Sequence, residues 1–139
     1  MLLKMIRFYL LVLALPLLIA SCSKKGGGGG TTPPAEENLI IAIDPDPGST
    51  IAKSLGASYD FKLLITSKVP AQGVEGTLVY KKDSDNSTVF SQTLQTSAAQ
   101  LNLQITGIPL NEVGTVTIEL KSKTKATNTA SKSFKLIRK

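Results

Sequence analysis

The sequence predicts an all-β domain over residues 38–139, a Greek-key sandwich of seven strands. Three observations lead to this prediction. Apolar and polar residues alternate with a period of two in most segments from Tyr59 onwards, and turn-forming residues separate these segments at intervals of roughly 8–15 residues. No segment keeps a helical period. Seven short alternating strands in about 100 residues are typical of a β-sandwich.

The first strand, residues 39–43, is a short apolar run that ends at the proline-rich turn 44–48. Five further strands show the alternation itself, at residues 59–65, 74–81, 101–106, 116–121 and 133–136, and residues 88–94 form the strand that returns from the turn after residue 82. Turn residues 83–86 separate the third strand from the fourth. The pattern predicts a core of aliphatic side chains joined by four aromatic ones: Phe61, Tyr80, Phe90 and Phe134.

The last two segments, residues 114–120 and 128–136, resemble the final hairpin of bacterial immunoglobulin-like surface domains. The resemblance implies an immunoglobulin-like sandwich for residues 38–139. The chain has one cysteine and no tryptophan, so it lacks the disulfide and core tryptophan of antibody domains, and it also lacks their corner tyrosine. The resemblance concerns architecture, and architecture does not determine function.

The first 22 residues have the layout of a secretory signal. A short basic start with Lys4 and Arg7 precedes an apolar run at residues 8–19, and small residues follow before Cys22. The apolar run is shorter than the roughly 20 residues that a membrane-spanning helix needs. Ile19-Ala20-Ser21-Cys22 resembles the lipobox of bacterial lipoproteins, where signal peptidase II cuts before a cysteine that becomes lipidated.

This resemblance implies that residues 1–21 are a lipoprotein signal peptide and that Cys22 carries the lipid. Diacylglycerol on the sulfur and usually a third acyl chain on the amine hold such proteins firmly to a membrane. We expect the outer membrane or cell surface of a Gram-negative bacterium, because Ser23 is not the aspartate that retains many lipoproteins at the inner membrane. An uncleaved membrane helix and an ordinary signal peptide are the alternatives.

Residues 22–37 are expected to form a lipid-anchored, disordered linker. Five glycines at 26–30 make flexible chain, and the Pro33-Pro34 pair makes stiff, extended chain. The segment has almost no apolar side chains to bury. A phosphate-binding loop is the other interpretation of a glycine run, but it needs a preceding strand, a following helix and usually a Lys-Ser/Thr pair.

The residue types argue against catalysis and against a cofactor. There is no histidine, which excludes Ser-His-Asp triads, Cys-His pairs and histidine-bound metals, and a lipidated Cys22 has no free thiol. The carboxylates fall in turns or on the outward side of strands. Catalytic carboxylates need burial or close partners to shift their pKa values. We therefore expect a protein that is not an enzyme.

Turn 83–86 is a weak candidate for a metal site. Asp83, Asp85 and Asn86 carry oxygen atoms of the kind that calcium binds. The loop lacks the glycine and the distal glutamate of an EF-hand, and Asp, Asn and Ser are ordinary hairpin residues. The pattern favours a plain turn and no metal.

The charge distribution is uneven. Removal of Lys4 and Arg7 lowers the net charge from +6 to +4, and the last nineteen residues hold seven basic residues and no acidic one. Five of these residues are candidates for contact with an anionic surface: Lys121, Lys123, Lys125, Lys132 and Lys135. The alternative is a solvated strand face, since edge lysines also prevent aggregation. No nucleic-acid partner is expected, because stacking aromatics are absent.

These observations predict a non-catalytic, lipid-anchored envelope protein that acts in protein binding, adhesion or assembly. Its expected partners are the membrane, through the anchor, and an envelope or surface protein. A carbohydrate-binding surface module is the alternative, and a calcium-binding sandwich is a weaker one. The chain has no tryptophan, and Tyr59 and Tyr80 fall on the predicted core side. Exposed aromatics would favour glycan binding, whereas a bare edge strand would favour protein assembly.

Overall fold

The computed structural model describes residues 35–139, which form β-strands and connecting loops without a helix. The predicted signal peptide, the lipidation site Cys22 and most of the predicted linker lie outside the described residues. Eight strands follow in chain order: β1 (Ile41–Asp44), β2 (Ala52–Ser54), β3 (Ser58–Ile65), β4 (Val74–Lys82), β5 (Thr88–Thr96), β6 (Gln100–Thr106), β7 (Val113–Ser122) and β8 (Thr129–Arg138).

The strands form two sheets, which confirms the all-β prediction. One sheet has three strands in the order β1-β3-β6, and the other has five in the order β2-β8-β7-β4-β5. All pairs are antiparallel except β2 with β8, which is parallel. The chain passes between the sheets on leaving β1, β2, β3, β5 and β6.

The number of strands differs from the predicted seven because of β2. Each predicted strand is present, and β2 is the additional one. It has only three residues, so it is too short to show an alternating pattern. It is held by its parallel register with the end of β8, in which Ala52 faces Leu136 and Ser54 faces Arg138. A contact between segments more than 80 residues apart defines this strand.

The core lies between the two sheets and follows the predicted alternation. In β7 the inward side chains from Val116 to Leu120 are buried and alternate with partly or fully exposed ones. Tyr80 is fully buried, and Phe61 and Phe134 pack edge to face across the core with ring centroids 5.6 Å apart. Phe90, which the sequence assigns to the core, is only partly buried because β5 lies at a sheet edge.

Candidate functional site

The segment before β1 is attached to the sandwich by hydrogen bonds to the loop between β7 and β8. Asn128 in that loop is buried and binds three parts of the segment before β1. Its Nδ2 donates to the Glu36 carboxylate (2.6 Å) and to the Glu37 carbonyl (2.8 Å), while its Oδ1 accepts from the Leu39 amide (2.8 Å). Residues 36 and 37, which the sequence assigns to the linker, are therefore hydrogen-bonded to the fold.

The Glu36 carboxylate is held on both of its oxygens. Ser122 Oγ donates a hydrogen bond to Glu36 Oε2 at 3.0 Å. The same hydroxyl oxygen accepts hydrogen bonds from the backbone amides of Thr124 and Lys125. These bonds, with Asn128 as the largest cause, hold the pKa of Glu36 below its usual value, although partial burial opposes them. The point of attachment is thus an organised polar cluster.

In the acidic turn between β4 and β5, the carboxylate oxygens of Asp83 and Asp85 accept hydrogen bonds from different partners. Asp83 accepts hydrogen bonds from Thr115 Oγ1 (2.6 Å) and Lys135 Nζ (2.7 Å), which lower its pKa. Asp85 Oδ1 accepts the Ser87 amide at 2.9 Å, and hydrogen bonds from Ser87 lower its pKa too. This second bond is the side-chain-to-backbone bond of an ordinary Asx turn.

Asn86 contributes to this turn through its backbone conformation. Its φ of 57° lies in the left-handed region, where Asn is tolerated, and its amide donates to the Lys82 carbonyl. Within residues 35–139 no group of three or more His, Cys, Asp or Glu side chains is placed to hold a metal ion. The weak metal candidates Asp83, Asp85 and Asn86 form a hydrogen-bonded hairpin turn.

The five candidate lysines do not form one strip. Lys121 and Lys135 point outward at opposite ends of the five-stranded sheet, six rows apart in the β7–β8 register. Each lies beside a carboxylate: Glu75 at 3.1 Å from Lys121 and Asp83 at 2.7 Å from Lys135.

The other three lysines also have neighbours of their own. Lys132 lies 3.8 Å from Asp46, and Lys123 donates to Gln95 Oε1 at 3.1 Å. Lys125 lies close enough to Glu36 to contribute to its lowered pKa. Exposed pairs of this kind add little to stability, but they reduce the net positive field of the surface.

The carboxylates beside a shallow depression on the described surface already have partners. This depression, about 540 Å³, lies on the three-stranded sheet beside Asp44 and Asp60. Asp44 lies 3.6 Å from Lys62, and Asp60 accepts a hydrogen bond from Gln104 at 2.7 Å. The carboxylates therefore have neutralising or hydrogen-bonding partners on the surface.

Aromatic side chains do not form a flat exposed platform on the described part of the chain. Tyr80 is buried and Tyr59 is half-buried, with its ring 6.0 Å from that of Phe61 and 6.1 Å from that of Phe134. Burial raises the pKa of both tyrosines. A sugar-binding surface usually presents such rings to solvent, and here they contribute to the core.

Strand β5 is the bare edge of the five-stranded sheet. It pairs with β4 on one side, and its other side has no strand partner among the described residues. All 19 residues from 88 to 106, which include β5 and β6, lack charge, proline and glycine. Natural edge strands usually carry charges, proline or bulges that prevent pairing with another chain. The missing charges are visible in the sequence, but the position of β5 at an edge is not.

A second exposed feature lies where β8 ends. Leu55 is 92% exposed and Leu110 is 59% exposed. The two flank the last residues of the chain, since the Lys139 amide donates to the Ser54 carbonyl and the Asn111 amide donates to the Arg138 carbonyl. These leucines lie at the opposite end of β8 from Asn128, and sequence alternation did not single them out.

Comparisons with known proteins add no family to this picture. The chain matches no protein-family model, and a search of curated proteins finds no match. No helix within residues 35–139 is both long and apolar enough to cross a membrane. Function therefore has to be inferred from the residues and surfaces described above.

Proposed function

We propose that this protein is a non-catalytic, lipid-anchored envelope protein of a Gram-negative bacterium whose β-sandwich binds or assembles with other envelope proteins. The observation that carries the proposal is the uncharged edge strand β5, Thr88–Thr96. An exposed strand edge offers a row of backbone donors and acceptors, and peptide strands of partners add to such edges.

An immunoglobulin-like Greek-key topology is part of this proposal. The order β1-β3-β6 corresponds to strands A, B and E of such domains, and β8-β7-β4 corresponds to G, F and C. In this comparison β5 takes the place of the extra strand beside C in variable-type domains, and β2 is an addition at the other edge. This order supports the resemblance seen in the last hairpin.

The lipid anchor explains why a domain of this size would work at a surface. From Cys22 to Ala35, where the described part begins, the chain has thirteen steps and can extend at most about 45 Å. Since residues 36–39 bind the β7–β8 loop, a lipid on Cys22 would tether the sandwich to the membrane through that loop, within reach of neighbouring envelope proteins.

Cys22→Ser is expected to abolish lipid labelling of the full chain with radioactive palmitate and to leave it unprocessed or soluble. The physical reason is that the serine oxygen cannot accept the diacylglycerol that the lipoprotein pathway transfers to sulfur. Ser23→Ala serves as the matched control and should retain the label. Membrane fractionation of Cys22→Ser with the signal segment still attached would instead support an uncleaved membrane helix.

The chemistry of the carboxylates supports a non-catalytic role. Glu36, Asp83 and Asp85 have shifted pKa values, and each is lowered by hydrogen bonds. Such groups stay ionised at neutral pH, whereas a carboxylic acid that donates a proton in catalysis needs a raised pKa. These three carboxylates are therefore suited to holding turns and the chain attachment in place.

Carbohydrate binding is the second candidate function, and calcium binding is a third. The described surface favours protein binding over both, because its tyrosines are buried or half-buried and Asp83 is already bonded to Lys135. Contact with an anionic surface is less favoured for the five lysines 121, 123, 125, 132 and 135. They are separated from one another, and several have carboxylate neighbours that offset their charge.

A photo-crosslinking amino acid at Thr93, on β5, tests the proposal in the bacterium that makes the protein. We expect protease-sensitive adducts of higher mass from Thr93 and few from Lys53, which is exposed on β2 at the opposite edge of the same sheet. Absence of protein adducts at both positions, together with saturable binding to purified envelope glycans, would favour the carbohydrate-binding alternative.

A further inference from the structure

We propose that β5 pairs antiparallel with β5 of a second copy of this chain, in a register centred on Gln92, so that two five-stranded sheets join into one. The proposal rests on the proposed assembly function and names its partner. An interface of this kind is related by a two-fold axis, and each copy contributes the same strand.

β5 differs in length and composition from the edge strands β1 and β2. β1 has four residues and runs into a proline-rich turn, and β2 has three residues and carries Lys53. β5 has nine residues without charge or proline, and its register with β4 is irregular only near Thr88. Its remaining residues, from Phe90 to Thr96, therefore form a regular edge that is open to pairing.

The sequence of β5 is complementary to itself in an antiparallel pair. In a register centred on Gln92, Phe90 faces Leu94 of the second copy, and Ser91 faces Thr93. Phe90 and Leu94 both point inward, opposite Tyr80 and Gly76 of β4, whereas Ser91 and Thr93 point outward. The register thus places apolar groups opposite apolar groups and hydroxyls opposite hydroxyls, which are favourable cross-strand pairs. A register centred on Thr93 would instead oppose Gln92 to Leu94.

The inward side of β5 is incompletely buried. Phe90 is only half-buried, and Gln92 is exposed although it lies on the inward side of the strand. A second β5 would extend the sheet over these positions and remove apolar surface from water. The edge strand β6 offers less, because its inward residues Leu103 and Ile105 are already buried.

Side chains of opposite charge lie near the two ends of β5. Lys123 lies beside Gln95, near the end of β5, and Asp85 lies in the turn just before β5 begins. Antiparallel pairing opposes Gln95 to Val89 of the second copy, so it brings the lysine of one copy towards the acidic turn of the other. Such an arrangement favours this orientation over a parallel one.

Disulfide formation tests the register in membranes that contain the full chain. Residue 92 faces its own copy across the axis at about 4.5–5.5 Å between Cα atoms, within the range that a disulfide bridges. Gln92→Cys should therefore form cross-linked dimers at least about tenfold faster than Thr96→Cys, whose two copies would lie roughly 26 Å apart along the strands. The wild-type chain measures any contribution from Cys22.

A charge at the axis tests the pairing without a cross-link. Gln92→Lys places like charges opposite each other and should raise the dissociation constant of the detergent-solubilised full chain at least about tenfold, measured by analytical ultracentrifugation. Gln104→Lys is the matched control, since Gln104 is exposed on β6, an edge strand of the three-stranded sheet, and should change the constant less than about twofold.

Three results would overturn the proposal. Equal disulfide rates for Gln92→Cys and Thr96→Cys would exclude the register, and a larger loss of self-association in Gln104→Lys would place pairing at β6. A cross-link from residue 92 to a different protein would exclude the second copy while leaving the assembly function intact. Fast cross-linking at residue 92 combined with weakened association of Gln92→Lys would establish the paired edge.

Discussion

Leu103→Ala is expected to lower the free energy of unfolding by about 2–5 kcal/mol, the usual range for truncation of a buried leucine. Leu103 is 5% exposed in β6, opposite Phe61 of β3, and its side chain points into the space between the sheets. Its removal leaves a cavity that the surrounding strands can fill only in part. Urea unfolding of residues 23–139 measures the loss from the shift of the midpoint.

Gln104→Ala is the matched control for this prediction. Gln104 is the next residue on the same strand, but it is exposed and donates to Asp60 on the outer face. Its truncation should cost less than about 0.5 kcal/mol, as surface changes usually do. Comparable losses in the two variants would mean that β6 presents its other face to the core.

Asn128→Asp is expected to lower the free energy of unfolding, and the loss should be larger at neutral pH than at acidic pH. The substitution keeps an oxygen for the Leu39 amide but replaces the donor of the other two bonds with a carboxylate that faces Glu36 and the Glu37 carbonyl. Leaving buried polar groups without partners costs about 1–3 kcal/mol each, and more when charge is involved. Asn128→Ala, which introduces no charge, should fall within that range.

The pH dependence distinguishes repulsion from simple loss of a donor. In the wild type the lowered pKa of Glu36 stabilises the fold above the unfolded value of about 4.5, and this contribution is lost as pH falls through the folded pKa. In Asn128→Asp two adjacent carboxylates raise a pKa in the folded state, so stability is regained on acidification. The stability difference between wild type and variant should therefore shrink between pH 7 and pH 4.

Glu36→Gln in the Asn128→Asp background provides the control. A glutamine at position 36 removes the repulsion and can donate to the new carboxylate, so we expect part of the loss at pH 7 to be recovered. A deficit that stays constant with pH and is not relieved by Glu36→Gln would show that electrostatic repulsion at this cluster is not its cause.

Local sequence patterns located seven of the eight strands and most of their buried faces. Period-two alternation is a local property, and it correctly assigned Leu103 and Val116 to the core and Gln104 to the surface. The turn at residues 83–86 was also predictable, since Asp and Asn stabilise turns through bonds to nearby backbone groups, as Asp85 does with Ser87.

Which segments meet depends on long-range packing that local patterns do not show. β2 exists because three residues pair with the distant end of β8, and Glu36 belongs to the fold because Asn128, 92 residues away, binds it. The lysines looked continuous along the chain, but the β7–β8 register places Lys121 and Lys135 six rows apart. β5 became an edge through the order of strands in its sheet. Local patterns decide which way a side chain faces, whereas strand order and long-range hydrogen bonds depend on how distant segments pack.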